Sequence, residues 1–137
     1  METFAVADEA AMHALAKALL PRFQVGDIVL LSGELGAGKT TFVRGILEEL
    51  GYEGVVKSPT FTIIQLYDTE PPVLHADLYR LQDLGRTGIT DYFESHLCFI
   101  EWPERAPELA NLDPVHIRIE FADPGRRVTV DGLRQSQ

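Results

Sequence analysis

The chain has 137 residues, 45% of them hydrophobic and 24% charged, which suits one soluble domain spanning 1–137 with a core of its own. No apolar stretch approaches the roughly 18 residues of a membrane span, and residues 1–17 (METFAVADEAAMHALAK) carry acids where a secretory signal carries bases. With 21 acids against 12 scattered bases and a net charge of −9, the surface is wrong for gripping nucleic acid through its phosphates and suits a basic protein partner.

Residues 8–20 place Met12, Leu15, Leu19 and Leu20 at helical spacing behind an acidic first turn, and Pro21 ends the pattern. Residues 27–32 (DIVLLS) form a short unbroken apolar run, the mark of a strand buried on both faces. A Gly-rich loop follows at once, and 40–50 (TTFVRGILEEL) reads as a helix stopped by Gly51. Ser58–Phe61 (SPTF) opens a β-rich run over 62–68, Pro71 and Pro72 mark a turn, and 73–78 (VLHADL) is a second strand. Residues 80–90 read as loop or broken helix, and 91–97 (DYFESHL) as one or two helical turns. Residues 98–102 (CFIEW) form a buried strand ending in an acid, and 103–109 a short helix. Residues 115–122 alternate, with Val115, Ile117, Ile119 and Phe121 on one face. Pro124 and Gly125 then turn the chain into a closing hairpin strand at 128–130, and Arg134–Gln137 form a frayed tail. Strand–loop–helix early and a hairpin late predict an α/β sheet, parallel at its core and antiparallel at its margin. The lone cysteine, Cys98, lies in the apolar run 97–100 and reads as a small buried hydrophobe, which fits a reducing, cytoplasmic setting.

Gly33–Thr40 reads GELGAGKT and meets the pattern G-x-x-x-x-G-K-[ST] at Gly33, Gly38, Lys39 and Thr40. Glycines admit backbone angles that a Cβ forbids, so successive N–H groups can turn inward into an anion nest. The following helix adds the positive end of its dipole. Lys39 can reach the β- and γ-phosphates of a nucleotide, and the Thr40 hydroxyl is placed for Mg²⁺. The plain alternative is a flexible glycine turn between strand and helix, but the context the motif requires stands on both sides, ILLS before and TTFVRGIL after.

Mg²⁺ on a nucleotide takes one or two carboxylates besides phosphate oxygens and water. Glu101 and Asp77 both end buried strands, where ligands of open α/β sheets sit. Either could hold the metal, and the other could orient the attacking water. Thr60 in SPTF could sense a γ-phosphate, or merely turn the chain after Pro59. His75 shares a strand face with Asp77, and a hydrogen-bonded structural role is commoner for such a residue than catalysis. Trp102 either covers a ligand or packs in the core. His13, His96 and His116 share no zinc-ligand spacing.

In order and spacing, GELGAGKTTFVRGIL, VKSPTFT, HADLYRL, DYF and FIEWPER resemble the TsaE (YjeE) family over residues 4–130. The glycine loop is common to many families, whereas SPTF, HADLYRL and EWPER together are far more specific. The resemblance implies a P-loop NTPase-like three-layer sandwich. It also implies an ATP-binding, slowly hydrolysing subunit needed to make threonylcarbamoyladenosine beside the tRNA anticodon. Such a subunit docks on TsaD of a TsaB–TsaD pair, meets tRNA only through that complex, and hydrolyses ATP to reset it. Carried over by residue, Gly36, Ala37, Gly38, Lys39, Thr40 and Thr41 wrap the phosphates, with Thr40 and Glu101 on Mg²⁺. Thr60 and Asp77 belong to switch-like segments, and Asp8 and Arg126 lie near the nucleotide. The candidate catalytic residues are thus Lys39, Asp77, Glu101 and Thr60. The stretch 82–90 (QDLGRTGIT) is shorter than the family's acidic segment before DYF, which bears on the local helix and the partner surface.

Two other classes fit worse. A small-molecule kinase needs a second pocket and an Arg-bearing lid, and only Arg80, Arg86 and Arg105 stand mid-chain. A GTP switch selects guanine with Asn-Lys-x-Asp, and the sole asparagine, Asn111, stands in NLDP.

Overall fold

The computed structural model describes residues 1–56, 64–79 and 88–133. Among these, seven strands build one sheet: β1 (Glu2–Val6), β2 (Ile28–Ser32), β3 (Ile64–Tyr67), β4 (Val73–Asp77), β5 (Leu97–Glu101), β6 (Val115–Phe121) and β7 (Arg126–Asp131). They lie in the order β1-β7-β6-β2-β5-β4-β3. The four middle strands, β6, β2, β5 and β4, pair in parallel. The outer pairs β1–β7, β7–β6 and β3–β4 are antiparallel. The sheet is therefore mixed, parallel at its core and antiparallel at its margin.

The apolar run of β2 is buried because both faces of the sheet are covered. On one face lie α1 (Glu9–Leu19) and α2 (Lys39–Glu49). There Val29, Leu31 and Phe99 meet Met12, Leu15, Phe42 and Ile46. The Phe99 ring packs edge-on to Phe23 at 5.8 Å and tilted on Phe42 at 6.3 Å. On the other face Leu30, Leu74 and Ile100 meet Ile89, Ala106 and Leu109. Ile89 and Leu109 come from short 3-10 segments, Ile89–Tyr92 and Pro107–Leu112, and Ala106 joins the latter to a third, Pro103–Arg105; none is an α-helix. Pro107 stands four residues after Pro103 and has no amide to donate to its carbonyl, so a helix begun at Pro103 cannot continue as α. The second half of 91–97, read as helical, is instead turn, and Leu97 already begins β5. Cys98 is fully buried, and burial pushes its thiol up to about 12, which keeps it an inert hydrophobe. No helix among the described residues is long and apolar enough to cross a membrane.

Strand β1 has no counterpart in the sequence reading. Its five residues are mostly exposed, and its partner, β7, lies more than a hundred residues away, so nothing local marks it. The Arg22 guanidinium holds it at one end with two hydrogen bonds to Glu2, of 3.0 and 2.6 Å.

The two helices pack closely at Gly45. A Cβ there would lie 2.9 Å from the Ala16 methyl and 3.0 Å from the backbone of His13. Lys17–Glu48 and Arg44–Glu9 ion pairs, at 2.9 and 3.1 Å, flank the contact. Gly45→Ala should therefore lower stability by about 1–2 kcal/mol in urea denaturation, because overpacking of roughly 1–3 kcal/mol outweighs the ~1 kcal/mol gain in helix propensity. A stabilised variant would show that α1 moves aside freely.

Candidate functional site

The chain leaves β2 at Ser32 and re-enters regular structure at Lys39, so residues 33–38 must reverse it tightly. Gly33 is required by close approach, since a Cβ would sit 2.5 Å from the Ile119 carbonyl of β6. Gly38, the N-cap of α2, has φ 120° and ψ 17°, which a side chain resists. It offers no side-chain acceptor, and no acid stands in the first turn of α2. By contrast, α1 is closed by Asp8, whose Oδ1 accepts from the Ala11 amide at 2.8 Å. One helix thus has its positive end neutralised from within, and the other presents it to an outside anion.

Arg126 shapes the loop from behind. Its Nε donates to the Ala37 carbonyl at 3.0 Å and its Nη2 to that of Gly36 at 3.5 Å, while the guanidinium lies 4.4 Å from the Phe121 ring. Because a trans peptide sets C=O and N–H on opposite sides, tying the Ala37 carbonyl to Arg126 turns the Gly38 amide the other way. The Ala37 amide itself closes a turn onto the Glu34 carbonyl at 3.0 Å.

Lys39 is only 4% exposed. Its ammonium donates to the Gly33 carbonyl at 2.7 Å and stands 3.8 Å from the centre of the Trp102 ring. Burial holds its pKa below the ordinary lysine value, against the pull of Glu101, Asp77 and Glu104. Trp102 reaches it by an unusual route. Strand β5 ends at Glu101, and Trp102 adopts the left-handed region, φ 59° and ψ 52°, which a bulky residue enters only under constraint. The sequence left its ring between core and cover. It packs at the edge of the core and lies over the lysine, with Tyr79 edge-on at 5.0 Å.

Parallel pairing sets Leu31, Glu101 and Asp77 side by side. Thr40, in the first turn of α2, donates its hydroxyl to Glu101 Oε2 at 3.2 Å, across 61 residues of sequence. The same oxygen meets His75 Nε2 at 2.5 Å. Asp77 is half-buried, its Oδ1 accepting from the Tyr79 amide at 2.9 Å. Burial raises its carboxyl above the ordinary aspartate value, Glu101 adds to the rise, and the Tyr79 amide, Lys39 and His75 oppose it. Among the described residues no group of three or more His, Cys, Asp or Glu could hold a metal alone. The Thr40 hydroxyl and Glu101 carboxylate fit the hard-oxygen donors of Mg²⁺, with phosphate and water completing its shell.

A cavity of about 260 Å³ opens on the other side of the loop, bounded by Asp8, Glu9, Met12, Gly38, Thr41 and Arg126. Gly36 and Ala37 line it too, so six of the eight residues read as cofactor-binding border one space, while Lys39 and Thr40 do not line it. Glu9 and Met12 also line it, and no local pattern marks them for that role. Thr60 lies outside the described residues.

The family model described as "Threonylcarbamoyl adenosine biosynthesis protein TsaE" matches residues 6–128. Proteins named tRNA threonylcarbamoyladenosine biosynthesis protein TsaE are similar to this chain. Those of Haemophilus influenzae, Streptomyces coelicolor and Bacillus subtilis are 41%, 38% and 40% identical to it. The matches span 74%, 89% and 85% of this chain and 67%, 90% and 76% of those proteins. A crystal structure of Bacillus subtilis YdiB aligns with a TM-score of 0.78 at 33% identity, covering 94% of this chain and 83% of that one. A family match over residues 6–128, with relatives 38–41% identical, shows that the protein belongs to the TsaE family of tRNA threonylcarbamoyladenosine biosynthesis proteins.

Proposed function

We propose that this chain binds ATP with Mg²⁺ at the loop Gly33–Thr40, hydrolyses it slowly, and uses its nucleotide state to control docking on a TsaB–TsaD complex that modifies tRNA in the cytoplasm. The observation that carries the nucleotide part is the uncapped N-terminus of α2 beside Lys39, with Thr40 and Glu101 in contact at its first turn. The partners and the tRNA role rest on the family resemblance and on the names of the relatives.

Each residue has a physical task in this reading. The Lys39 ammonium exchanges the Gly33 carbonyl for phosphate oxygens, a gain for a buried cation whose present partner is a neutral dipole. Trp102 covers that cation and keeps water from it. Arg126 holds the loop so that the Gly38 amide stays turned inward. Thr40 and Glu101 hold the metal, which when bound neutralises charge on the phosphates. Asp77, raised by burial, is suited to accept a hydrogen bond from the attacking water. The cavity beside Asp8, Thr41 and Arg126 takes the nucleoside.

Lys39→Ala should weaken ATP binding by about 10–100-fold in titration calorimetry, since hydrogen bonds to charged groups contribute roughly 1.5–3 kcal/mol each. Glu101→Ala should instead keep Mg²⁺-free binding and lose hydrolysis; retained full hydrolysis would remove Glu101 from the metal site. Hydrolysis by the purified chain should be slow and rise with TsaB, TsaD and tRNA, whereas strong phosphoryl transfer to a small metabolite would overturn the regulatory reading.

Asp77 and Asp8 yield two further expectations. The Asp77 carboxyl is raised in the fold, so its ionisation costs stability as pH climbs from the unfolded value through the folded one. Asp77→Asn should therefore melt higher than the parent at pH 7, with the difference vanishing below about pH 3, while hydrolysis is lost. A lower melting temperature at pH 7 would mean that Asp77 serves the fold. Asp8→Ala should cost about 1 kcal/mol through the lost cap and also weaken nucleotide binding, whereas Asp8→Asn, which keeps a cap, should spare stability alone.

A further inference from the structure

His75 is completely buried in the middle of the sheet, yet it is not an ordinary core residue. By strand alternation it shares a face with Val73, which lies in the cluster of Phe42, Tyr67 and Phe99. A hydrophobe of similar size would fill that space without loss. The imidazole spends one nitrogen, Nε2, on Glu101 Oε2 at 2.5 Å, and its other nitrogen, Nδ1, is buried with no hydrogen-bond partner among the described residues. An unpaired buried nitrogen is a cost to the fold, which the Glu101 contact alone offsets.

That contact does something for Glu101. The terminal torsion of a glutamate is broad, so a carboxylate at a strand end can rotate freely unless donors fix it. Among the described residues, both side-chain hydrogen bonds to Glu101 land on Oε2, one from Thr40 on α2 and one from His75 on the neighbouring strand. Thr40 stands at the mouth of the loop, where a ligand would engage its hydroxyl. His75 is anchored in β4, paired in register with β5 and outside the loop.

We infer that His75 is a positioning residue: it locks the Glu101 carboxylate in one rotation and so sets which oxygen faces a nucleotide-bound divalent cation. This rests on the reading of Glu101 as a Mg²⁺ ligand. Residues behind a metal ligand typically alter metal affinity by about 10–100-fold when removed, without touching the ligand's other duties.

The test compares ATP affinity of the full chain in Mg²⁺ and in EDTA by titration calorimetry, the ratio being the Mg²⁺-linked gain. Gln places its amide nitrogen where Nε2 stands, and Asn places it near Nδ1. His75→Leu and His75→Asn should cut the gain about tenfold or more while affinity in EDTA stays within about twofold, and His75→Gln should restore most of the gain. In a Glu101→Gln background, adding His75→Leu should cost nothing more. Circular dichroism checks folding, and should His75→Leu fail to fold, the contrast of Gln with Asn decides. A full gain in folded His75→Leu or His75→Asn, equal losses in Mg²⁺ and EDTA, or additive losses with Glu101→Gln would each overturn the positioning role. If the parent chain itself shows no Mg²⁺-linked gain, the metal reading of Glu101 fails and this inference falls with it; a normal parent gain that His75 variants leave intact sinks this inference alone.

Discussion

The register of β2 against β5 is the constraint on which the site depends. With Leu31 opposite Glu101, the last buried carboxylate of β5 stands level with the end of β2, where the chain leaves for the loop. The loop then needs only residues 33–38 to return at α2, and Thr40 arrives within 3.2 Å of Glu101. A slip by one residue would point Glu101 at the opposite face, among Leu30 and Ile100, and would strand its charge in the apolar layer. The hydrophobic alternation of two central strands therefore positions polar chemistry that neither strand contains alone. Because β4 pairs with the other side of β5, the same register delivers Asp77 and His75.

The loop is also self-supporting. A buried ammonium is costly unless something receives its hydrogen bonds, and here the Gly33 carbonyl and the Trp102 face do so. These are neutral partners, so the lysine is held without being neutralised. Two of the three carboxylates that pull on it hydrogen-bond elsewhere, Glu101 with Thr40 and His75 and Asp77 with the Tyr79 amide. The left-handed turn at Trp102 is the conformational cost of this arrangement.

Much of this was legible in the sequence, for physical reasons that differ by residue. The run IVLLS could only be a doubly covered strand, and the glycine loop has few conformations that satisfy its spacing, so β2, the loop and α2 stood out locally. Acids often end strands as solvated residues, and Glu101 and Asp77 were visible because a glycine loop accompanies them and ligands of open α/β sheets sit at those strand ends. His75 was visible as a residue but not as a partner of Glu101, since that contact needs the order of β4 and β5, which no local pattern encodes. The Lys39–Trp102 contact was hidden because strand alternation sends Trp102 to the other face, and only its positive φ reverses that. Strand β1 was silent because its pairing is entirely non-local. The wall of the cavity, with Glu9 and Met12, carries no linear signature, since it follows from the angle at which α1 crosses the loop.

The turn at Gly125 joins two distant parts of the chain: a Cβ there would sit 2.2 Å from the Val6 carbonyl, and the next residue, Arg126, is the one that grips the loop. The cavity wall is thus assembled from residues near position 8 and near position 126, with the loop between them in sequence and in space. During synthesis the glycine loop leaves the ribosome long before its brace does. A nascent chain that has reached α2 holds the pattern for an anion nest but lacks Arg126 and the hairpin that carries it. The brace that shapes the loop consequently arrives late in this fold, when the antiparallel margin closes.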